Sequence, residues 1–276
     1  MRKLLRANGS RLLRDRAFWL LSALMAFFGV SMAAVNAVHA RQDGEIWTMD
    51  YTLFIYVILA PILASVFTSL FVGNEHSSGA MRNKLIAGHR RGCIYLADLL
   101  VSCCAGICLC LAFALPQAGL GLLLKGEWKT APAELALYIG LSFALMLAFT
   151  ALFTLIAMLC QNKTHTTAGC ILLTFALLFA GVYISSTLEE PEYLAAYSYT
   201  ENGVTVEEPE QKNPYYISGM KRQVYECLLD LTPGGQVIQI SEMGAKKPAM
   251  LAVYDGLILL LVTGFGLVLF RREDLK

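Results

Sequence analysis

Charged side chains are scarce in this chain: 16% of its 276 residues, against 57% hydrophobic. A soluble domain carries about 25% charged and about 45–50% apolar residues. The shortfall is gathered into apolar runs, several longer than the about 20 residues that cross a bilayer. That pattern excludes an ordinary water-surrounded core and makes the chain a polytopic membrane protein. Other absences narrow the chemistry. No G-x-x-x-x-G-K-[ST] phosphate loop occurs, so the chain does not bind ATP through that cradle. No G-x-S-x-G nucleophile elbow occurs either, and no catalytic residues are assigned. There is no CxxC pair, and seven of the eight cysteines lie in or beside apolar runs, where Cys serves as a small apolar residue. Cys103, Cys104, Cys108 and Cys110 crowd one run without a His or further Cys to complete a metal site. His39, His76, His89 and His165 show no ligand spacing. No metal, no disulfide and no nucleic-acid partner are expected.

What is present reads as six spans. Residues 1–16 hold six cations and four leucines, Leu4, Leu5, Leu12 and Leu13, at near-helical spacing. This suits an amphipathic helix lying in the lipid headgroup region, where anionic lipid adds roughly 1 kcal/mol per basic residue. The apolar run 17–38 exceeds the about 7–15 residues of a signal peptide core and reads as a retained helix. The second span, 51–72, carries Pro61, which predicts a kink or break there. The third, 93–115, is read as closed by Pro116; the fourth and fifth are 133–160 and 166–187. A polar region, 188–248, separates them from the last span, 249–270, and a tail, 271–276. Within it, β-prone runs flank Asn202-Gly203, a hairpin signal. Residues 217–231 have helical spacing, stopped by Pro233-Gly234-Gly235, with a short helix expected at 237–240. Small residues such as Gly140 and Gly181 suit close helix packing in lipid. Lys and Arg total fourteen on the side of the termini against three in the short loops opposite. Both termini are therefore expected in the cytoplasm, with the acidic 188–248 region outside.

The segment 73–92, GNEHSSGAMRNKLIAGHRRG, is the polar, basic interruption between two long apolar runs. Gly79, Gly88 and Gly92 bracket good helix formers, so a short surface helix is expected, able to fit a groove on a partner. Glu75 sits near the membrane exit, while Arg82, Lys84, Arg90 and Arg91 are placed to meet partner acids or lipid phosphate. The plain alternative is that these are the positive-inside residues of any cytoplasmic loop. Asp98, Glu134 and Asp255 are the ionisable residues within spans. They serve either helix pairing and snorkelling or transport.

Phe71, Glu75, Gly79, Arg82, Leu85 and Arg91 together resemble the loop between the second and third spans of type 2 ATP-binding-cassette (ABC) exporter permeases. Ala80 stands where that pattern often has Thr, and Asp98 near where it often has Lys. Phe270-Arg271-Arg272-Glu273-Asp274 resembles the family's aromatic and charged end. The resemblance implies an all-α integral membrane fold: six transmembrane helices, an N-terminal amphipathic interfacial helix, and a small mixed extracellular region between helices 5 and 6. It implies a coupling helix at 73–92 (Glu75, Gly79, Arg82, Lys84, Arg90, Arg91) docked on a separate ABC ATPase subunit, which would bind ATP and Mg. It further implies a second permease copy or paralogue, a bacterial plasma membrane, and export of an amphipathic or hydrophobic substrate such as an antimicrobial peptide, drug or lipid. The reading from another class is a non-transporting sensor or scaffold whose acidic extracellular region binds a ligand.

Overall fold

The computed structural model describes residues 1–44, 47–160, 162–201, 204–208 and 210–272. A short helix, α1 (Arg2–Arg14), opens the chain, and Asp15 separates it from α2 (Arg16–Asp43). The Asp15 carboxylate accepts from the Ala17 N–H at 2.8 Å, satisfying a donor that a helix start leaves free. Then come α3 (Asp50–Leu53), α4 (Tyr56–Ser77), α5 (Ala80–Ile86), α6 (Arg91–Leu123), α7 (Pro132–Leu159) and α8 (Lys163–Glu189). Four short strands follow: β1 (Tyr193–Leu194), β2 (Tyr197–Glu201), β3 (Val204–Glu208) and β4 (Gln211–Lys212). The chain finishes with α9 (Gly219–Leu231), α10 (Pro233–Ser241) and α11 (Pro248–Arg272). Six of these helices, α2, α4, α6, α7, α8 and α11, are long and apolar enough to span a membrane. The chain is an all-helical, multi-pass membrane protein with little sheet.

β2 and β3 pair antiparallel, Tyr197 opposite Glu208, as the hairpin signal implies. The Asn202-Gly203 turn itself lies outside the described residues. Beneath it β1 pairs with β4, Tyr193 opposite Lys212.

α4 is the most enclosed span: 67% of its apolar window is buried within the protein, against 17% for α11. Tyr56, Phe67 and Phe71 of α4 share one core with Tyr95 and Phe113 of α6 and Phe149 and Phe153 of α7. Lipid offers helices no hydrophobic incentive to associate, so close packing and hydrogen bonds must hold them. Both are present. The Tyr56 hydroxyl lies 2.6 Å from Ser142 Oγ, and Gln117 Nε2 donates to Thr52 Oγ1 at 2.9 Å. At Gly29 an added Cβ would strike the Phe113 carbonyl oxygen, so α2 and α6 meet backbone to backbone.

The prolines behave differently from their sequence reading. Pro61 sits inside a continuous α4, and the interruption falls ahead of it, at Phe54 and Ile55 between α3 and α4. Pro116 does not close the third span, because α6 runs on to Leu123. A proline deletes one helix donor, but the turn after it is held by packing. Gln117 and Gly121 are buried, and Gly121 abuts Met49 and Trp47. Those residues belong to a loop that pairs with the one after α6: the Glu127 N–H donates to the Trp47 carbonyl at 2.9 Å, and its carbonyl accepts from Met49 at 3.0 Å.

α10 turns back into the bundle against α8, α7 and α4. Pro233 is its first residue, a position with no donor to lose, and Thr232 caps it. Proline here starts a helix as well as ending α9. Val237 and Ile240 are fully buried. The approach is possible because Gly181 of α8 and Gly234 of α10 present bare backbone to one another. Gly140, by contrast, faces open space and plays no such part.

Gly234→Ala should therefore overpack the α8–α10 contact and cost about 1–3 kcal/mol. The melting temperature of the detergent-solubilised protein measures it, and Gly140→Ala should stay within about 0.5 kcal/mol. Equal melting of the two variants would contradict the packing described.

Candidate functional site

The interruption between α4 and α6 forms a short helix, α5, set between two turns. Two glycines set its ends: Gly79 (φ +70°) turns the chain out of α4 into α5, and Gly88 (φ +82°) turns it out of α5. Both values lie in the left-handed region that side chains disfavour. Between them α5 has two faces. Met81 is buried and Lys84 and Leu85 half-buried. On the other face Arg82, Asn83 and Ile86 are exposed, Ile86 by 76%.

Beneath the inner face lies a cluster of charges drawn from four helices. Glu75, on the last turns of α4, has a fully buried side chain. Lys84 of α5 donates to both of its oxygens at 2.6 Å. The same ammonium reaches Asn8 Oδ1 at 3.2 Å and Asp98 Oδ1 of α6 at 3.5 Å. α1 supplies the rest. Asn8 Nδ2 donates to Asp98, and Arg11 pairs with Glu75. Arg11 also donates to the Phe71 carbonyl at 3.2 Å and lies over the Phe71 ring at 3.7 Å. Two carboxylates thus meet two cations. Each ion alone would carry a desolvation penalty of several kcal/mol at such a depth, so the groups belong together or not at all. The arrangement ties α1, α4, α5 and the base of α6 to one another.

Each residue singled out from sequence has a definite place. Glu75 and Lys84 face inward, Gly79 is a hinge, and Arg82 and Arg90 are exposed. Arg91 donates to the Phe270 carbonyl at 3.3 Å, tying the segment to the end of α11. Asp98 is in the cluster, with its Oδ2 unbonded among the described residues. Glu134 is exposed in the first turn of α7, where an acid complements the helix dipole. Asp255 is 1% exposed, with neither oxygen bonded among the described residues.

Two participants in the cluster escaped the sequence reading, Asn8 and Arg11. A signal existed for Asn8. It interrupts the stripe Leu4, Asn8, Leu12, all buried, at i, i+4 spacing. A polar residue in such a stripe asks for a partner. The same stripe revises the leucine assignment: Leu4 and Leu12 face the protein, while Leu13 is 64% exposed.

A family model described as ABC-2 family transporter protein matches residues 6–181. The chain belongs to that family. The match takes in the charge cluster, α5 and the spans through most of α8 of this ABC-2 transporter protein. Comparison with curated proteins gave no match.

Lys84→Met in the transporter protein should leave two buried carboxylates short of a cation and cost about 3–5 kcal/mol. Adding Glu75→Gln should recover part of that loss, a coupling of about 0.5–3 kcal/mol in a double-mutant cycle read by thermal unfolding. Strict additivity of the two changes would show that the pair does not interact.

Proposed function

We propose that this protein is the membrane-spanning subunit of an ATP-driven exporter, with α5 as the lever gripped by a separate ATPase that binds ATP and Mg. The observation that carries the reading is the two-faced build of α5. Its inner face is fastened to three other helices by Lys84 and Met81, while Arg82, Asn83 and Ile86 stand free on the outer one. An apolar side chain exposed beside a cation is how a small docking surface is made. On this reading Arg82 and Ile86 touch the partner, whereas Glu75 and Lys84 transmit force by holding the lever to α4 and α6. α1 braces the lever through Asn8 and Arg11, and its exposed Arg2, Lys3, Arg6 and Arg14 meet lipid phosphate.

Both termini then lie in the cytoplasm of a bacterial cell, and the region from β1 to α10 faces outward. Closure of two ATPases under two permease copies would push each α5 and tilt its α4 and α6. An amphipathic or hydrophobic molecule would move outward between the copies. Spans with so few charges suit such cargo better than an ion. Asp255, buried with no hydrogen-bond partner among the described residues, sits among helices that the motion would rearrange.

The test is recovery of the ATPase with the purified permease. Arg82→Glu combined with Ile86→Asp should cut the co-purified ATPase at least about tenfold, equivalent to about 1.4 kcal/mol, and leave the melting temperature unchanged. Undiminished recovery, or transport driven by an ion gradient with no nucleotide-hydrolysing partner present, would rule the reading out.

A further inference from the structure

At the end of the bundle remote from the termini, the tips of α8, α9, α10 and α11 enclose a cleft of about 610 Å³. That is the size of a drug-like ligand site, which runs from about 300 to 1,000 Å³. Part of its wall is apolar: Leu188, Leu229, Ile238 and Tyr254. The rest is polar, and its charges are unevenly matched. Glu226 is satisfied by Lys246 at 3.0 Å and Arg222 at 3.7 Å, and the Lys246 hydrogen bond holds its carboxyl below the usual range. Asp230 accepts from Gln239 at 3.1 Å.

Glu189 and Glu242 are different. Neither makes an ion pair among the described residues, and Glu189 accepts only from Ser185, at 3.0 Å. Partial burial and the nearby Glu189 charge, with no cation to offset them, push the Glu242 carboxyl above its ordinary range. A third acceptor lines the cleft. Gln239 is 8% exposed. Its amide nitrogen is used twice, on Asp230 and on the Leu229 carbonyl. Its oxygen accepts nothing from the described residues. An amide oxygen lining the cleft without a donor is one that a ligand N–H can fill.

We propose that this cleft binds the cationic end of an amphipathic molecule. An ammonium or guanidinium donates to Glu189, Glu242 and the Gln239 oxygen, and the adjoining hydrocarbon lies on Leu188, Ile238 and Tyr254. The inference deepens the exporter reading and rests on it for the cleft facing outward, where it would receive cargo leaving the pathway. Two carboxylates that make no ion pair and an amide oxygen without a donor outnumber Lys247, the one cation of the lining with no ion pair among the described residues, and favour a cationic head over a neutral one.

Cys227 lines the cleft and is exposed, so it reports occupancy. The full-length permease in lipid nanodiscs is labelled with a water-soluble maleimide, with Cys227→Ser as the blank. The probe is monodansylcadaverine, a primary ammonium on an aromatic body; its N-acetyl derivative is the neutral control. At about ten times its Kd the probe should slow Cys227 labelling about tenfold, as mass action requires, and the neutral control should not. Glu189→Gln with Glu242→Gln should label at the unprotected rate with or without probe. Protection by the neutral control, persistence of protection in the double variant, or no protection in the native protein overturns the proposal. The exporter reading fails separately: in intact cells, an impermeant maleimide that reaches Cys227 only after permeabilisation would place the cleft inside.

Discussion

The Lys84 ammonium bonds to Glu75 of α4 and Asn8 of α1 and lies within ion-pair range of Asp98 of α6. The end of the bundle that carries the termini is assembled around that contact. The physical constraint behind it is simple. Carboxylates placed where the chain meets the hydrocarbon lose their water, and only matched cations within hydrogen-bond reach make the loss tolerable. Arg11 completes the match from α1. Three consecutive helices and α1, which is distant in sequence, are thereby obliged to share one position, and the short α5 gains a rigidity that its seven residues would not have alone.

The opposite end is built by another rule. Here few charges are buried and close backbone approach does the holding. Gly181 and Gly234 let α10 settle against α8, and Gly121 lets the loop at Trp47 and Met49 close over α6. α4 joins the two ends. It carries Glu75 at one and packs on α10 at the other, and it is the least lipid-exposed of the six spans.

The architecture was largely legible in the residues. Long apolar runs have one stable form in lipid, a helix that satisfies its own backbone, so six of them appear where six were expected. Asn202-Gly203 between β-prone runs was a sound pointer to the β2–β3 pair. Pro116 misled, because the cost of a missing donor depends on what packs around it, and no spacing rule contains that. At Pro116 the buried neighbours outweigh the lost bond, whereas Pro233 follows the end of α9 as expected and opens α10 with no bond to lose. Glu75 and Lys84 were picked out as chemically important, yet their inward direction was invisible, since nine residues of separation say nothing of which side of a turn each occupies.

The sequence by itself determined what is set by local composition: a six-span membrane protein, glycine hinges around a short basic helix, and no phosphate loop of its own. Only the tertiary structure decided which members of that helix are anchors and which are free. That choice depends on Asn8 and Arg11 arriving from some seventy residues away, and the pairing of buried charges across such a distance is a property of the packed bundle, not of any stretch of chain.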